Sequence, residues 1–300
     1  MVLGIFYYPW YGGKNNPESL WRHWKDNKCS PPITWNSRYL PDVSSSSATE
    51  DRLYDSFDQN ILTHQMNLIK QAHIDFVIWS WWGQDSFSDH ALKYFCNSNY
   101  NPSGLKHCIY YEKEWLENVP EEEIESDIKY IKRNYYDRNE SPNTTFLRID
   151  DKSVIFVYNR TPTKYLGYSN YQADLANKWY SIRVKYAIYT VLKISPGWQN
   201  YQRKSNSWHQ YGPSTHYQKA RNYSSYVSPG WWSPKEIAPR LPRDTTRFKN
   251  DVIVMRSDGT PIKTIQTWNE WTEGTGIEPA IIGGQSYGTI YLDIIKSVFG

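Results

Sequence analysis

The 300-residue chain carries 34 Lys and Arg against 31 Asp and Glu, for a net charge of +3 with the two signs interleaved. This argues against a nucleic-acid-binding protein, which presents a basic face or stripe, and no stretch approaches the ~20 apolar residues of a membrane helix. Aromatic residues make up 17% of the chain, with 26 Tyr and 15 Trp, while the mean hydropathy is −0.75. Many rings therefore sit among polar neighbours, a combination that suits sugars, whose C–H faces stack on rings while their hydroxyls take hydrogen bonds.

The N-terminus, Met1-Val2-Leu3-Gly4-Ile5-Phe6-Tyr7-Tyr8, lacks the basic region and long apolar run of a signal peptide. A cytoplasmic location is the default expectation, with an extracellular role left open. Residues 2–8 read as a buried strand ended by Pro9. Apolar residues at helical spacing (Ile61, Met66, Leu68, Ile69, Ala72) predict a helix over 57–73. Residues 75–82 form a strand stopped by Gly83, and 88–95 a short helix. Residues 107–111 make a third strand ending at Glu112. The acidic stretch 121–125 opens a helix to about residue 135, its carboxylates well placed for the N-terminal dipole. A fourth strand follows at 153–158, a helix at 171–182 and a fifth strand at 185–192. Residues 208–211 and 225–227 are the short sixth and seventh strands, 264–268 the eighth, and 287–298 a closing helix. The serine run 44–47 reads as loop, and Arg240, Arg243 and Arg247 as a solvated basic loop. No repeat of 20–50 residues or low-complexity linker interrupts the chain. The alternation predicts a single-domain (β/α)8 TIM barrel over 1–300.

Cys29, Cys96 and Cys108 are too few to form a disulfide framework. No Cys-x-x-Cys or His-x-x-x-His spacing indicates zinc, so no metal and no cofactor is expected. The sequon Asn143-Thr144-Thr145 is a chance match in a chain rich in Asn, Ser and Thr.

Thr267-Trp268-Asn269-Glu270-Trp271-Thr272-Glu273-Gly274 carries the sharpest chemical signal. Its carboxylates lie three residues apart where the last strand ends. Extended chain would point them to opposite sides, but a turn at Trp271 and Thr272 brings both to one pocket. That place is the C-terminal mouth of the barrel, where barrel enzymes keep their active sites, and glycosidic cleavage commonly uses two such carboxylates. Further candidates are the aromatic opening around Tyr8 and Trp10 with Trp21, His23 and Trp24, the pair Trp81-Trp82 at the second strand end, and Glu112 at the third. Adjacent tryptophans face opposite sides, so at least one of the pair is expected at the mouth. His209 is more simply a structural residue.

These segments resemble glycoside hydrolase family 99, the endo-α-mannosidases, and related barrel proteins of bacterial polysaccharide loci. Phe6-Tyr7-Tyr8-Pro9-Trp10-Tyr11-Gly12 with Trp21-Arg22-His23-Trp24 is similar to the family's opening strand and loop. Residues 74–83 resemble its second strand, and Trp268 to Glu278 its eighth strand and following loop. The resemblance implies a retaining, endo-acting hydrolysis of α-mannosidic bonds without a glycosyl-enzyme. Glu270 would assist the sugar 2-hydroxyl and stay ionised. Glu273 would be the general acid/base with a raised pKa. Tyr8, His23, Trp81, Trp82, Glu112, Tyr211 and Asn269 would bind substrate, an oligosaccharide or polysaccharide, with no nucleic acid or membrane insertion involved. The chain departs from the family at Lys113-Glu114-Trp115 and through 196–232, and Ile277-Glu278-Pro279 also suits the polysaccharide-locus relatives. A polysaccharide-assembly or other-sugar enzyme is the alternative reading. A non-catalytic glycan-binding or structural barrel is the third, and the presence of both Glu270 and Glu273 opposes it.

Overall fold

A computed structural model describes residues 1–13, 22–24, 37–43, 53–98, 101–102, 104–116, 119–138, 145–159 and 168–300. Trp21, Cys29, the serine run and most of the sequon lie outside the described residues. Eight parallel strands follow one another around the sheet: β1 (Val2–Tyr7), β2 (Phe76–Trp81), β3 (Lys106–Tyr111), β4 (Lys152–Val157), β5 (Ile188–Lys193), β6 (Ser207–His209), β7 (Ser224–Val227) and β8 (Ile262–Ile265). β8 pairs back onto β1, with Gly4 opposite Thr264 on one side and Phe76 on the other. A ninth strand, Gln218–Ala220, runs antiparallel along β7. The barrel is nearly closed. No ladder joins β6 to β7, but Ser224 Oγ donates to Trp208 O at 2.6 Å across the seam.

Strand alternation builds two layers. Leu3, Ile5, Tyr7, Val77, Trp79, Ile109 and Ile155 point outward and pack under the helices. Phe6, Phe76, Ile78, Tyr110, Val154 and Phe156 point inward and fill the barrel. The interior is crowded enough to require glycine at position 4: a Cβ there would lie 2.3 Å from the Phe76 ring.

The helices are α1 (Gln59–Gln71), α2 (Phe87–Cys96), α3 (Glu121–Ile131), α4 (Tyr168–Tyr186), α5 (Thr245–Ser257) and α6 (Ile290–Phe299). Asp58 caps α1 by accepting from Asn60 N and Ile61 N, and Ser86 caps α2 by accepting from Asp89 N. α4 runs on to Tyr186, and Ala187 turns the chain with a positive φ of 51°, so β5 begins later than the expected residue 185.

The full (β/α)8 pattern is not present. The β5–β6 connection holds only a 3-10 turn, Trp198–Asn200, and the β6–β7 connection holds the antiparallel strand. Both connections are rich in Pro, Gly, Ser and aromatic residues, which favour turns over helix. Among the described residues no helix is long and apolar enough to cross a membrane. Cys96 and Cys108 are buried.

Candidate active site

Four of the wall residues come from the same rule applied at different strand ends. Tyr7, Trp81, Tyr111 and Val157 face outward. The ladder runs one residue further through Glu112 N to Trp81 O (3.0 Å) and Tyr158 N to Tyr111 O (3.0 Å). Tyr8, Trp82, Glu112 and Tyr158 therefore face inward. After β8, Trp268 N still bonds Phe6 O at 2.7 Å, and the chain then folds back on itself. Trp271 N reaches Asn269 O, Gly274 N reaches Trp271 O, and Thr275 N reaches Glu270 O. Gly274 takes a positive φ of 63°, and a Cβ there would lie 2.8 Å from the Tyr39 ring and 3.0 Å from Trp232 O. This turn brings Glu270 and Glu273 to one side.

Tyr8, Trp10, Trp82, Glu112, Tyr158, Tyr211, Glu270 and Glu273 line a cavity of about 230 Å³ at this mouth. The hydroxyls of Tyr8 and Tyr211 share a 2.5 Å hydrogen bond. Beneath them Phe6 packs 5.2 Å from Tyr211 and 4.8 Å from Tyr110, so the floor is apolar. A second cavity of about 270 Å³ adjoins the first, sharing Trp10 and Trp82 and adding Arg22, His23, Ser86, Phe87 and Ser88.

Three carboxyls face one small space, and burial sets their behaviour. It pushes Glu112 up to about 8, against a hydrogen bond from Ser80 and with the aid of nearby Glu273. Burial likewise pushes Glu273 up to about 7, against a hydrogen bond from Trp231 and the charge of Lys193. Glu270 is raised well above the ordinary carboxylate range by burial and then by Glu273. Desolvation and a like charge thus both oppose the ionised Glu270 that the sequence reading expects. Hydrogen bonding nevertheless distinguishes the pair. Oε1 of Glu270 accepts from Thr272 N at 3.0 Å and Glu273 N at 3.3 Å, which stabilises its charged form. Oε2 of Glu273 is buried without a donor.

Six of the nine sequence-derived site residues line the main cavity: Tyr8, Trp82, Glu112, Tyr211, Glu270 and Glu273. His23 lines the adjoining one, stacked 4.8 Å from Trp10 at 18°. Trp81 does not face the mouth. Its indole Nε1 donates to Asp89 Oδ1 at 2.7 Å, where Tyr130, Tyr135 and Lys93 also converge, and its ring is fully buried beneath α2. Asn269 is also fully buried, its amide committed to the backbone of Tyr8 and to Tyr54.

Arg243 is not a solvated loop residue. It sits 4.6–5.0 Å from the rings of Tyr39, Tyr287 and Tyr291 and donates to Gly274 O at 3.0 Å and Gly276 O at 2.5 Å. His209 is buried and held neutral, its pKa lowered to about 3, and lies 3.2 Å from Val157 O. Tyr158 was identifiable only as an aromatic at a strand end, and nothing local in the sequence marks Trp231 or Lys193. Among the described residues no group of three or more His, Cys, Asp or Glu is placed to hold a metal ion.

No family model matches the sequence, and no curated protein matches it. Solved structures do match the fold. A GH99 endo-alpha-mannosidase from Bacteroides thetaiotaomicron superposes with a TM-score of 0.71 at 19% identity, over 98% of this chain and 95% of that one. The structure of that enzyme in complex with bis-tris-propane gives the same score and identity over 99% and 95%. A glycoside hydrolase-like protein follows with a TM-score of 0.62 at 13% identity, over 99% and 93%. This chain therefore shares the fold of a GH99 barrel.

Proposed function

We propose that this protein is a retaining, endo-acting glycoside hydrolase that cleaves α-mannosidic or similar α-linked bonds, with Glu270 and Glu273 as its catalytic residues. The observation that carries this reading is the convergence of Glu270, Glu273 and Glu112 on one cavity walled by Tyr8, Trp10, Trp82, Tyr158 and Tyr211. The shared fold supports it. The adjoining cavity across Trp10 and Trp82 gives room for a second sugar, as cleavage within a chain requires.

In the first step the sugar 2-hydroxyl gives its proton to Glu270, and its oxygen attacks the anomeric carbon. The bond to the leaving oxygen breaks as Glu273 protonates it. In the second step Glu273 takes a proton from water, whose oxygen attacks the same carbon, and Glu270 returns its proton to the 2-oxygen. Two displacements at one carbon retain configuration. Glu270 must be ionised to begin. Protonated Glu273 removes the nearby charge that opposes this, and the two backbone N–H groups on Oε1 hold the carboxylate in place.

A panel of α-linked glycans, with α-mannosides first, tests the activity. The mechanism is tested with a substrate lacking the 2-hydroxyl, which should not turn over. Equal cleavage of 2-deoxy and parent substrates would make Glu270 a conventional nucleophile or a binding residue.

A further inference from the structure

Below the cavity lies a buried polar chain whose hydrogen-bond directions can be assigned. Asn269 Oδ1 accepts from Tyr8 N at 2.8 Å, so its Nδ2 is the group facing Tyr8 O (3.0 Å) and Tyr54 OH (3.0 Å). Trp271 Nε1, which can only donate, also points at Tyr54 OH, at 3.1 Å. With two donors directed at it, the Tyr54 hydroxyl must send its own proton to its remaining neighbour, Glu278 Oε2, at 2.9 Å. From the other side Tyr7 OH donates to Gln65 Oε1 at 2.6 Å, and Gln65 Nε2 donates to Glu278 Oε1 at 2.7 Å. The donors of Tyr54 and Gln65 both end on Glu278, which is 2% exposed. Burial works against a charge there and pushes the carboxyl up to about 8, even with the hydrogen bonds from Gln65 and Tyr54 that favour the charge. The two donors point at different oxygens of the carboxyl, so Oε2 is the acceptor that takes the Tyr54 proton.

We propose that Glu278 is a positioning residue for the hydrolysis. Its buried carboxyl oxygen fixes the direction of the Tyr54 hydroxyl, and Tyr54 in turn holds Asn269 and Trp271, the two neighbours of Glu270. Asn269 fixes the Tyr8 backbone, and Trp271 fixes the turn that presents Glu270. Glu278 touches no cavity-lining side chain in this chain of bonds; it acts through Tyr54. This inference rests on the proposed function only for its kinetic readout.

The test is a double-mutant cycle between Glu278→Leu and Tyr54→Phe, with Glu278→Gln as the conservative variant. Each variant is checked for folding by circular dichroism. Kinetics use an α-linked mannobiosyl fluoride. The indole resonance of Trp271, assigned by its loss in Trp271→Phe, reports the hydrogen bond without requiring catalysis. Glu278→Leu and Tyr54→Phe should each lower kcat on the order of 10²-fold, the cost of a small misplacement of reacting groups, with little change in KM. The double variant should be no worse than either single. Both singles should move the Trp271 indole resonance in the same direction, and Glu278→Gln, which keeps an acceptor facing Tyr54, should recover most of both effects. Additive losses, or an unmoved indole resonance in Glu278→Leu, would overturn the proposal. Resonances that move as expected in an enzyme that cleaves no glycan would leave Glu278 as the anchor of this turn and remove the hydrolase reading instead.

Discussion

Asn269 grips the peptide units on both sides of Tyr8: its Oδ1 accepts from Tyr8 N at 2.8 Å and its Nδ2 donates to Tyr8 O at 3.0 Å. One side chain thus ties the end of β1 to the chain leaving β8, as a strand partner would, where the regular ladder has stopped. The hold places Tyr8 beside Glu270, the residue after Asn269. Asn269→Asp keeps the acceptor for Tyr8 N but turns a carboxylate oxygen toward Tyr8 O. It should cost about 2 kcal/mol or more in urea unfolding and lower kcat. An unchanged unfolding midpoint would mean that the Tyr8 backbone is held by something else.

Arg243 should be equally intolerant of a change that keeps its charge. Its guanidinium lies among three tyrosine rings and reaches two carbonyls of the turn that presents Glu273. One nitrogen, Nη2, donates to both carbonyls while the planar guanidinium lies among the rings, and lysine's compact ammonium lacks that planar group. Arg243→Lys should lose about 1–3 kcal/mol of stability and reduce kcat more than it raises KM. A variant with wild-type kinetics would show that the turn keeps its shape unaided.

Three carboxyls in one cavity also set a pH dependence of stability. Glu112 is raised to about 8 and Glu273 to about 7, against ordinary values of ~4.3 for exposed glutamate. The folded protein therefore holds protons that the unfolded chain has lost, and linkage makes stability fall as pH rises. Their contribution is fully present below about pH 4.3 and is lost as pH climbs through the folded values near 7 and 8. Thermal midpoints should drop across that window, and Glu112→Gln should flatten the slope. A slope as steep in the variant as in the wild type would exclude Glu112 as a source.

Much of the site follows from period-two alternation. It requires Tyr8 and Glu112 to face away from Tyr7 and Tyr111, and it requires Trp81 and Trp82 to part. It cannot say which tryptophan faces the mouth. That is decided by Asp89, eight residues on in α2, which captures the Trp81 indole. The Glu-x-x-Glu spacing needs a turn to bring its two members together, and Gly274 supplies the required backbone conformation. Less legible were the residues whose role depends on distant packing. Arg243 looks like one of a basic surface cluster until Tyr39 and, from a distant segment, Tyr287 and Tyr291 close around it. Glu278 reads as part of a motif, but its partners Tyr54 and Gln65 come from residues more than 200 positions earlier. The missing helices after β5 and β6 follow from local composition.

The two tryptophans give a paired test of this partition. Trp82 lines both cavities, and its Nε1 donates to Ser80 Oγ at 3.1 Å. Trp82→Ala should leave the fold intact and raise KM by about tenfold, the loss of roughly 1.4 kcal/mol of ring contact with a sugar. Trp81→Phe removes one donor from buried Asp89 and should cost about 1–3 kcal/mol of stability, with kinetics unaltered while the protein is folded. The reverse pattern would put Trp81 in the substrate path.

The division of labour between the two motif carboxyls is the sharpest test of the chemistry. Glu273 has a buried oxygen without a donor and a pKa near 7, which suits a group that must both give and take a proton near neutrality. Glu270 has two backbone N–H groups on one oxygen, an arrangement that favours an acceptor. Glu273→Gln should slow cleavage of natural glycans by about 10²–10⁴-fold, the usual range for general acid–base help. Fluoride departs from carbon without a proton from the enzyme, so the first step on a glycosyl fluoride should largely survive in this variant. Glu270→Gln should slow both substrates alike, because the attacking 2-oxygen loses its base in either case. The protonated acid also disappears as pH rises past about 7, so kcat/KM on natural glycans should fall above that pH while the first step on the fluoride does not. Comparing single-turnover rates on the two substrates isolates that step. If Glu273→Gln slowed the fluoride as severely as the glycan, Glu273 would not be the proton donor, and the two roles would have to be exchanged.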